Sequence, residues 1–373
     1  MQRQRRPANY WDYIRVEELL SLQSGVAASE TELSDDEVRF IVVHQVDELW
    51  FKVVLRELVA ARNLFARRPV PEDALAGAVN SLRRITICFD LAAQHFRLME
   101  TMRTQDYLQF RDKLNPASGF QSAQMREIEV LMGLPDEDRI PFGNEGSYLD
   151  ALKSHDGSPS PALARVQRRL ADQPTLKAAV DAWLYRTPIQ GSSPGDPGDE
   201  QVVSDYVTHY LAGHEQLYQR ALQHAVAVQA LTESDQERLR ARYRGQLAGA
   251  RRHLDAEDVA TDHRHVVRRL RAAILFVDSN RTLPLLSWPG QIIDGLIECE
   301  QAMLAFRQRH ARMVERVIGR RVGTGGSDGV AYLDQTALKY RVFTEIWAGR
   351  TLLLPPDLCP SVRDQTFYGL ARS

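Results

Sequence analysis

The chain has 373 residues, 44% of them hydrophobic, and its 47 lysines and arginines nearly balance 49 aspartates and glutamates, leaving a formal charge of −2. This excludes a disordered chain, allows one large or two ordinary buried cores, and removes any global reason for nucleic-acid binding. Cys88, Cys299 and Cys359 fall outside zinc-ligand spacing, and neither a run of 18 apolar residues nor an apolar stretch behind the N-terminal arginines occurs, so the expectation is a reduced, cytoplasmic, unexported chain with no membrane span.

Helical periodicity runs nearly throughout, and hairpin signals are almost absent, which predicts an all-α protein. The first strong helix is expected over about residues 35–67, with Ser34 as N-cap and Glu37 as its capping-box partner. A second is expected over about 72–103 and a third from Thr104, broken by Pro116-Ala117-Ser118-Gly119 before another over about 120–132. The stretch near 135–160 reads as loop-rich, 161–186 as one or two helices, and Gly191–Gly198 as a flexible, polar linker or surface loop. Residues from about 200 to 253 look like charged, solvent-facing helices, and Pro284 and Pro289 mark a bend before a long helix over about 290–319. Neither an internal repeat nor a linker between autonomous units is visible. The expected division is a flexible N-terminus at 1–9, one helical domain over 10–350 with loop-rich inserts near 135–160 and 187–200, and a C-terminal tail at 351–373.

Phe306, His310, Met313 and Val317 recur at offsets of four, three and four, so His310 points inward on a helix whose other faces carry Arg307, Arg309 and Arg312. Such a residue is either a satisfied core histidine or a neutral imidazole whose lone pair can hold haem iron. Phe40 and His44 are likewise neighbours on one inward face. Tyr107 and Arg111 share a face too, and Arg111 is suited either to clamp a carboxylate or to pair with Asp106 or Asp112. After Arg320 and Arg321 comes Gly323-Thr324-Gly325-Gly326-Ser327-Asp328-Gly329, which is either an anion-contacting loop or a plain helix stop. It is neither a Walker loop nor a Rossmann turn.

Taken together, FIVVHQVDELWFK at 40–52, YLQFRDKLNPASGFQS at 107–122 and FRQRHARMVERVIGRRVGTGGSDGVAYL at 306–333 resemble the tryptophan 2,3-dioxygenase family. Tyr10-Trp11-Asp12-Tyr13-Ile14 and Leu19-Leu20-Ser21 echo its opening, and the likeness spans about residues 10–345. The resemblance implies an all-helical, haem b-binding homotetramer that uses dioxygen to open the indole C2–C3 bond of L-tryptophan, giving N-formylkynurenine. By motif, His310 matches the axial iron ligand and His44 the distal histidine that meets the indole N–H. Phe40 matches the ring beside the substrate, Arg111 with Tyr107 the carboxylate clamp, and Thr324 the hydroxyl near the amino group. Ser118 and Gly119 match the chain passing the distal haem face, and Tyr10, Tyr13 and Ile14 a segment that covers a neighbouring subunit's pocket.

The family pattern has serine where this chain has Asp328, tryptophan where it has Phe306, and threonine where it has Val46. These departures keep an alternative open: a natural-product relative that oxygenates a substituted tryptophan, such as β-methyl-tryptophan, and leaves one oxygen in an oxindole or hydroxylated indole. A non-catalytic haem sensor would need His310 but neither Arg111 nor Thr324, and a helical interaction protein would use both histidines as core.

Overall fold

The computed structural model describes residues 9–115, 117–141, 147–154, 156–229, 231–321 and 329–369, and among these it contains fourteen α-helices and no strand. Three long helices make the frame: α3 (Asp35–Phe65), α4 (Leu75–Met99) and α12 (Pro284–Ile318), with α1 (Tyr10–Ile14) and α2 (Val16–Leu19) before them in the chain. α4 packs against both α12 and α3, and its buried stripe of Leu82, Ile85, Phe89 and Ala92 explains why: apolar residues recur every three or four positions. Before α4, residues Glu72–Ala74 form a short 3-10 turn, and the chain breaks after Met99 rather than at 103, so the expected helix loses a turn at each end.

Ser34 caps α3 as expected, its Oγ accepting the Glu37 N–H at 3.2 Å. The reciprocal half of the box is corrected: the Glu37 carboxylate accepts Lys113 Nζ at 2.7 Å, tying α3 to the 3-10 turn Arg111–Leu114 that follows α5 (Thr104–Phe110). At the other end of the chain, α12 begins at Pro284, where a missing N–H costs nothing, and continues through Pro289. The helix therefore starts earlier than the expected 290 and takes in both prolines, and over its 35 residues α12 is about 50 Å long.

α6 (Ala123–Met132) leans on α3 and on α7 (Pro161–Ala171), with a small satellite core around Tyr148, Leu152 and Val166. The segment between α6 and α7 contains only 3-10 turns among its described residues, in keeping with its loop-rich composition. α8 (Leu176–Arg186), α9 (Asp199–Gln229), α10 (Glu233–Leu254) and α11 (Arg264–Ser279) build the far side. There the linker reading of 191–198 fails. Arg269 is buried and donates to both Asp199 oxygens at 2.6 and 2.8 Å and to the carbonyls of Tyr185, Thr187 and Ser192, so the loop is pinned across a charged side chain. The solvent-facing reading of 200–253 holds for most of α10 but not for the start of α9, where Val203, Tyr206, Val207, Tyr210 and Leu211 join the main core.

α13 (Gly329–Lys339) packs on α12, and α14 (Thr344–Leu352) lies against α11. Residues beyond 350 turn back into the protein: Leu354, Leu358 and Tyr368 are buried, the Tyr368 hydroxyl donates to the Pro188 carbonyl and accepts the Gly191 N–H, and its carbonyl accepts Leu285 N–H. Among the described residues no helix is long and apolar enough to cross a membrane.

Candidate functional site

α3, α4, α6, α12 and α13, with the turn at 117–122, enclose a cavity of about 510 Å³, inside the range usual for small-molecule sites. One face of α3 supplies Phe40, His44, Asp47, Glu48 and Phe51, since steps of three and four residues return to the same side. Phe96 and Met99 come from α4, and Phe306, Arg307 and His310 from α12.

The structure brings His310 and His44 to one cavity from two distant helices. The His310 ring stacks on Phe96, with centroids 5.0 Å apart and planes 10° from parallel. Burial first, then the nearby His44 and Arg307, push its pKa down to about 3, so the imidazole is neutral at any physiological pH. At about 1.4 kcal/mol for each pH unit, protonating it costs roughly 5 kcal/mol more than protonating a free histidine. Burial also lowers the His44 pKa, against the opposing effects of the Phe40 carbonyl and Glu48. That carbonyl lies 2.7 Å from His44 Nδ1 and can only accept, so the proton is on Nδ1 and Nε2 is left as an acceptor. Phe40 packs on the His44 ring at 4.1 Å and faces Tyr107 and Phe110 at 6.3 and 5.7 Å.

Tyr107 lines the cavity, and Arg111 donates a hydrogen bond to it; burial raises the Tyr107 pKa and the guanidinium partly offsets this. Asp106, one of the two alternative partners, is taken by Arg103 at 2.8 Å. Ser118 caps the 3-10 turn Gly119–Gln121, its Oγ accepting Phe120 N–H and its own N–H donating to Gln121 Oε1. Gly119 thereby faces His310: a Cβ there would stand 3.9 Å from the ring's Cε1, in ordinary van der Waals contact. Tyr10, Tyr13 and Ile14 are not in this chain's cavity wall; they project from α1 with 73%, 79% and 44% exposure. Thr324 and Asp328 lie outside the described residues.

Sequence reasoning missed the charged half of the wall. Arg307, read as part of a polar helix face, is buried beside the cavity and gives Nη2 to Glu129 Oε1 at 2.5 Å. Arg126 and Arg139 reach the same carboxylate at 3.1 and 2.7 Å. Burial alone would raise the Glu129 pKa, but the three guanidiniums outweigh it and hold the carboxyl below its ordinary value. Among the described residues, Nε of Arg126 and Nε of Arg307 are buried with no hydrogen-bond partner. The three- and four-residue steps from His44 would have marked Asp47 and Glu48, and the step of three back from His310 would have marked Arg307; nothing local could have marked Glu129 as its partner.

These features suit a haem. A neutral imidazole can ligate haem iron, the lining is rich in aromatic and apolar side chains, and the guanidinium charges of Arg126 and Arg307 in the wall suit propionate carboxylates. Among the described residues there is no cluster of three His, Cys, Asp or Glu that could hold a bare metal ion.

The sequence profile of the tryptophan 2,3-dioxygenase family matches residues 2–353. A tryptophan 2,3-dioxygenase of Sorangium cellulosum is 55% identical over 364 residues, covering 97% of this chain and 87% of that protein. Tryptophan 2,3-dioxygenase 2 of Ralstonia nicotianae is 51% identical over 369 residues, 98% of each chain. The Xenopus laevis tryptophan 2,3-dioxygenase is 32% identical over 367 residues, covering 95% of this chain and 85% of that one.

Proposed function

The chain belongs to the tryptophan 2,3-dioxygenase family, and from that premise we propose which of its residues carry the reaction. It is a haem-dependent dioxygenase that converts L-tryptophan to N-formylkynurenine. Relatives above 50% identity over almost the whole chain carry the dioxygenase name, which does not favour the reading as a specialised monooxygenase or a haem sensor.

His310 would hold the iron of haem b through the nitrogen lone pair that its low pKa keeps free. Haem, when bound, supplies the activation of dioxygen, and the protein supplies orientation and electrostatics. His44 accepts the indole N–H at Nε2, because its Nδ1 proton is already committed to the Phe40 carbonyl. With its proton held there, the residue orients the ring rather than delivering a proton. Phe40 packs against the indole. Arg111, steadied by Tyr107, clamps the substrate carboxylate; a shielded charge-assisted pair of this kind contributes about 1.5 to 3 kcal/mol. Thr324 meets the amino group, while Ser118 and Gly119 shape the oxygen side of the cavity. Arg126 and Arg307 would face the propionates. Tyr10, Tyr13 and Ile14 would close the pocket of another copy in a homotetramer, for which their exposure in the single chain leaves them available. The enzyme would work in the cytoplasm.

The observation that carries this reading is the pairing of a neutral His310 with a tautomer-locked His44 across one aromatic cavity. It is tested by loading the full chain with haem, reducing it, and weighing the product formed from L-tryptophan in air. Two added oxygen atoms are expected. The His310→Ala variant should lose the histidine-ligated haem spectrum and regain it with added imidazole. One added oxygen, or an unchanged spectrum in that variant, would overturn the assignment.

A further inference from the structure

Asp47 stands three residues beyond His44 on α3, in the wall of the same cavity. Its side chain is 6% exposed, and its Oδ1, buried with no hydrogen-bond partner among the described residues, lies 3.5 Å from Nδ1 of His95 on α4. That nitrogen is likewise buried with no hydrogen bond among the described residues, yet the His95 side chain as a whole keeps 30% of its surface exposed and does not line the cavity. With Nδ1 shut away, the exposed part of the side chain lies elsewhere on it. His95 spans from the exterior to Asp47, and Asp47 spans from His95 to the cavity.

Among the described residues, the charged and titratable groups that share the cavity wall with Asp47 are His44 and Glu48 on its own helix, Tyr107 of α5, Arg126 of α6, Arg307 and His310 of α12 and Tyr332 of α13, and His95 of α4 lies beside it. Glu48 accepts from Ser122 Oγ at 2.5 Å and Gln124 Nε2 at 2.7 Å, bonds that suit the anion. Burial and then that neighbouring charge push the Asp47 carboxyl up to about 7, while burial lowers the His95 pKa. Near neutrality the pair has one proton to place.

We propose that His95 and Asp47 form a proton path from the protein surface to the cavity wall, through which Asp47 takes up one proton when the iron of a bound haem gains one electron from an external one-electron reductant. The inference rests on the haem reading above. His95 gives its Nδ1 proton to Asp47 Oδ1 while its outer nitrogen takes one from solvent, so the imidazole stays neutral and changes tautomer. The carboxylate becomes a carboxylic acid, and the added electron is matched by an added proton. Reoxidation reverses each transfer. Dioxygenation of tryptophan consumes no net protons or electrons, so the path serves reductive activation of an oxidised enzyme. Compensation matters because an uncompensated charge in a cavity sheltered from water is costly.

The test is a redox titration of the full haem-loaded chain with dithionite and mediator dyes, over one to two pH units either side of the Asp47 value of about 7. In the wild type the reduction equilibrium constant should fall by up to tenfold per pH unit, 59 mV for one electron. Asp47→Asn should be flat in that window. His95→Gln should keep the equilibrium dependence while proton uptake after rapid reduction, read with an indicator dye, slows at least tenfold. A flat wild type, an Asp47→Asn variant that still follows pH, or unchanged uptake in His95→Gln would each overturn the proposal. Haem binding is read separately from the Soret band, so its failure refutes the functional reading on its own. Infrared titration of the haem-free chain then decides the pair: a carboxylic-acid C=O band that titrates near neutrality and disappears in Asp47→Asn is expected, and its absence overturns the path.

Discussion

Replacing Glu129 by glutamine probes the link between stability and the site. The residue is 0% exposed and faces Arg307 Nη2 at 2.5 Å, Arg139 Nη1 at 2.7 Å and Arg126 Nη2 at 3.1 Å. Glutamine keeps the shape but offers one acceptor oxygen, turns an amide donor toward guanidinium donors, and removes the charge. Arg139 retains Asp136 at 3.0 Å, but that carboxylate is 73% exposed and compensates weakly. Removing one partner from a buried ionic cluster costs about 3 to 5 kcal/mol, because the remaining charges stay buried. With about 2.1 cal/mol/K of unfolding entropy per residue over 373 residues, this is a Tm loss of roughly 4 to 6 °C. Arg238→Gln, which removes the exposed bridge to Asp235, is the control and should cost under about 1 kcal/mol. Urea unfolding of the haem-free chain, followed by circular dichroism, measures both. Because Arg126 and Arg307 line the cavity, the Glu129 variant should also bind haem less tightly. A loss no larger than that of the Arg238 control would refute the reasoning.

Arg111→Lys keeps the charge and loses the planar fork, so KM for L-tryptophan should rise about 10- to 150-fold with the haem spectrum unchanged; an equal handicap toward tryptamine, which lacks the carboxylate, would exclude the clamp. For pH, the native pKa of His310 is depressed from 6.5 to about 3, so the unfolded chain binds the proton first; its contribution is intact above 6.5 and is lost as pH falls toward 3. Relative to His310→Phe, the haem-free wild type should therefore lose about 3 kcal/mol between pH 7.5 and 4.5 in urea unfolding, and a constant gap would count against the burial of that ring. Gly213→Ala would set a Cβ 2.4 Å from the Leu358 carbonyl oxygen and 2.7 Å from Leu354 Cδ1, so a loss of about 1 to 3 kcal/mol with faster proteolysis near residues 352–360 is expected. Unchanged stability would mean that the C-terminal segment yields freely.

What the sequence determined by itself were properties carried within one helix. The period of three and four residues turned Phe40, His44 and His310 inward, Ser34 announced the start of α3, and the ordered motifs identified the family and, with it, the haem and the reaction. Partners distant in sequence were another matter. Glu37 has the spacing of a capping box, yet Lys113, 76 residues on, offers a charge-assisted bond that a backbone N–H cannot match. Arg307 falls at the edge of the inward stripe, three residues before His310, but that its charge is buried there depends on Glu129, 178 positions earlier. The glycine- and proline-rich stretch at 191–198 reads as a flexible linker or a surface loop, and only Arg269, on a helix some 70 residues later, decides it by bonding the Ser192 carbonyl and the Asp199 carboxylate at its two ends. Asp47 shares a face with His44, but its pairing with His95 required α4 to pack beside α3. Periodicity fixes the direction a side chain takes from its own helix, whereas burial of a charge depends on which opposite charge the packing of other helices delivers to it.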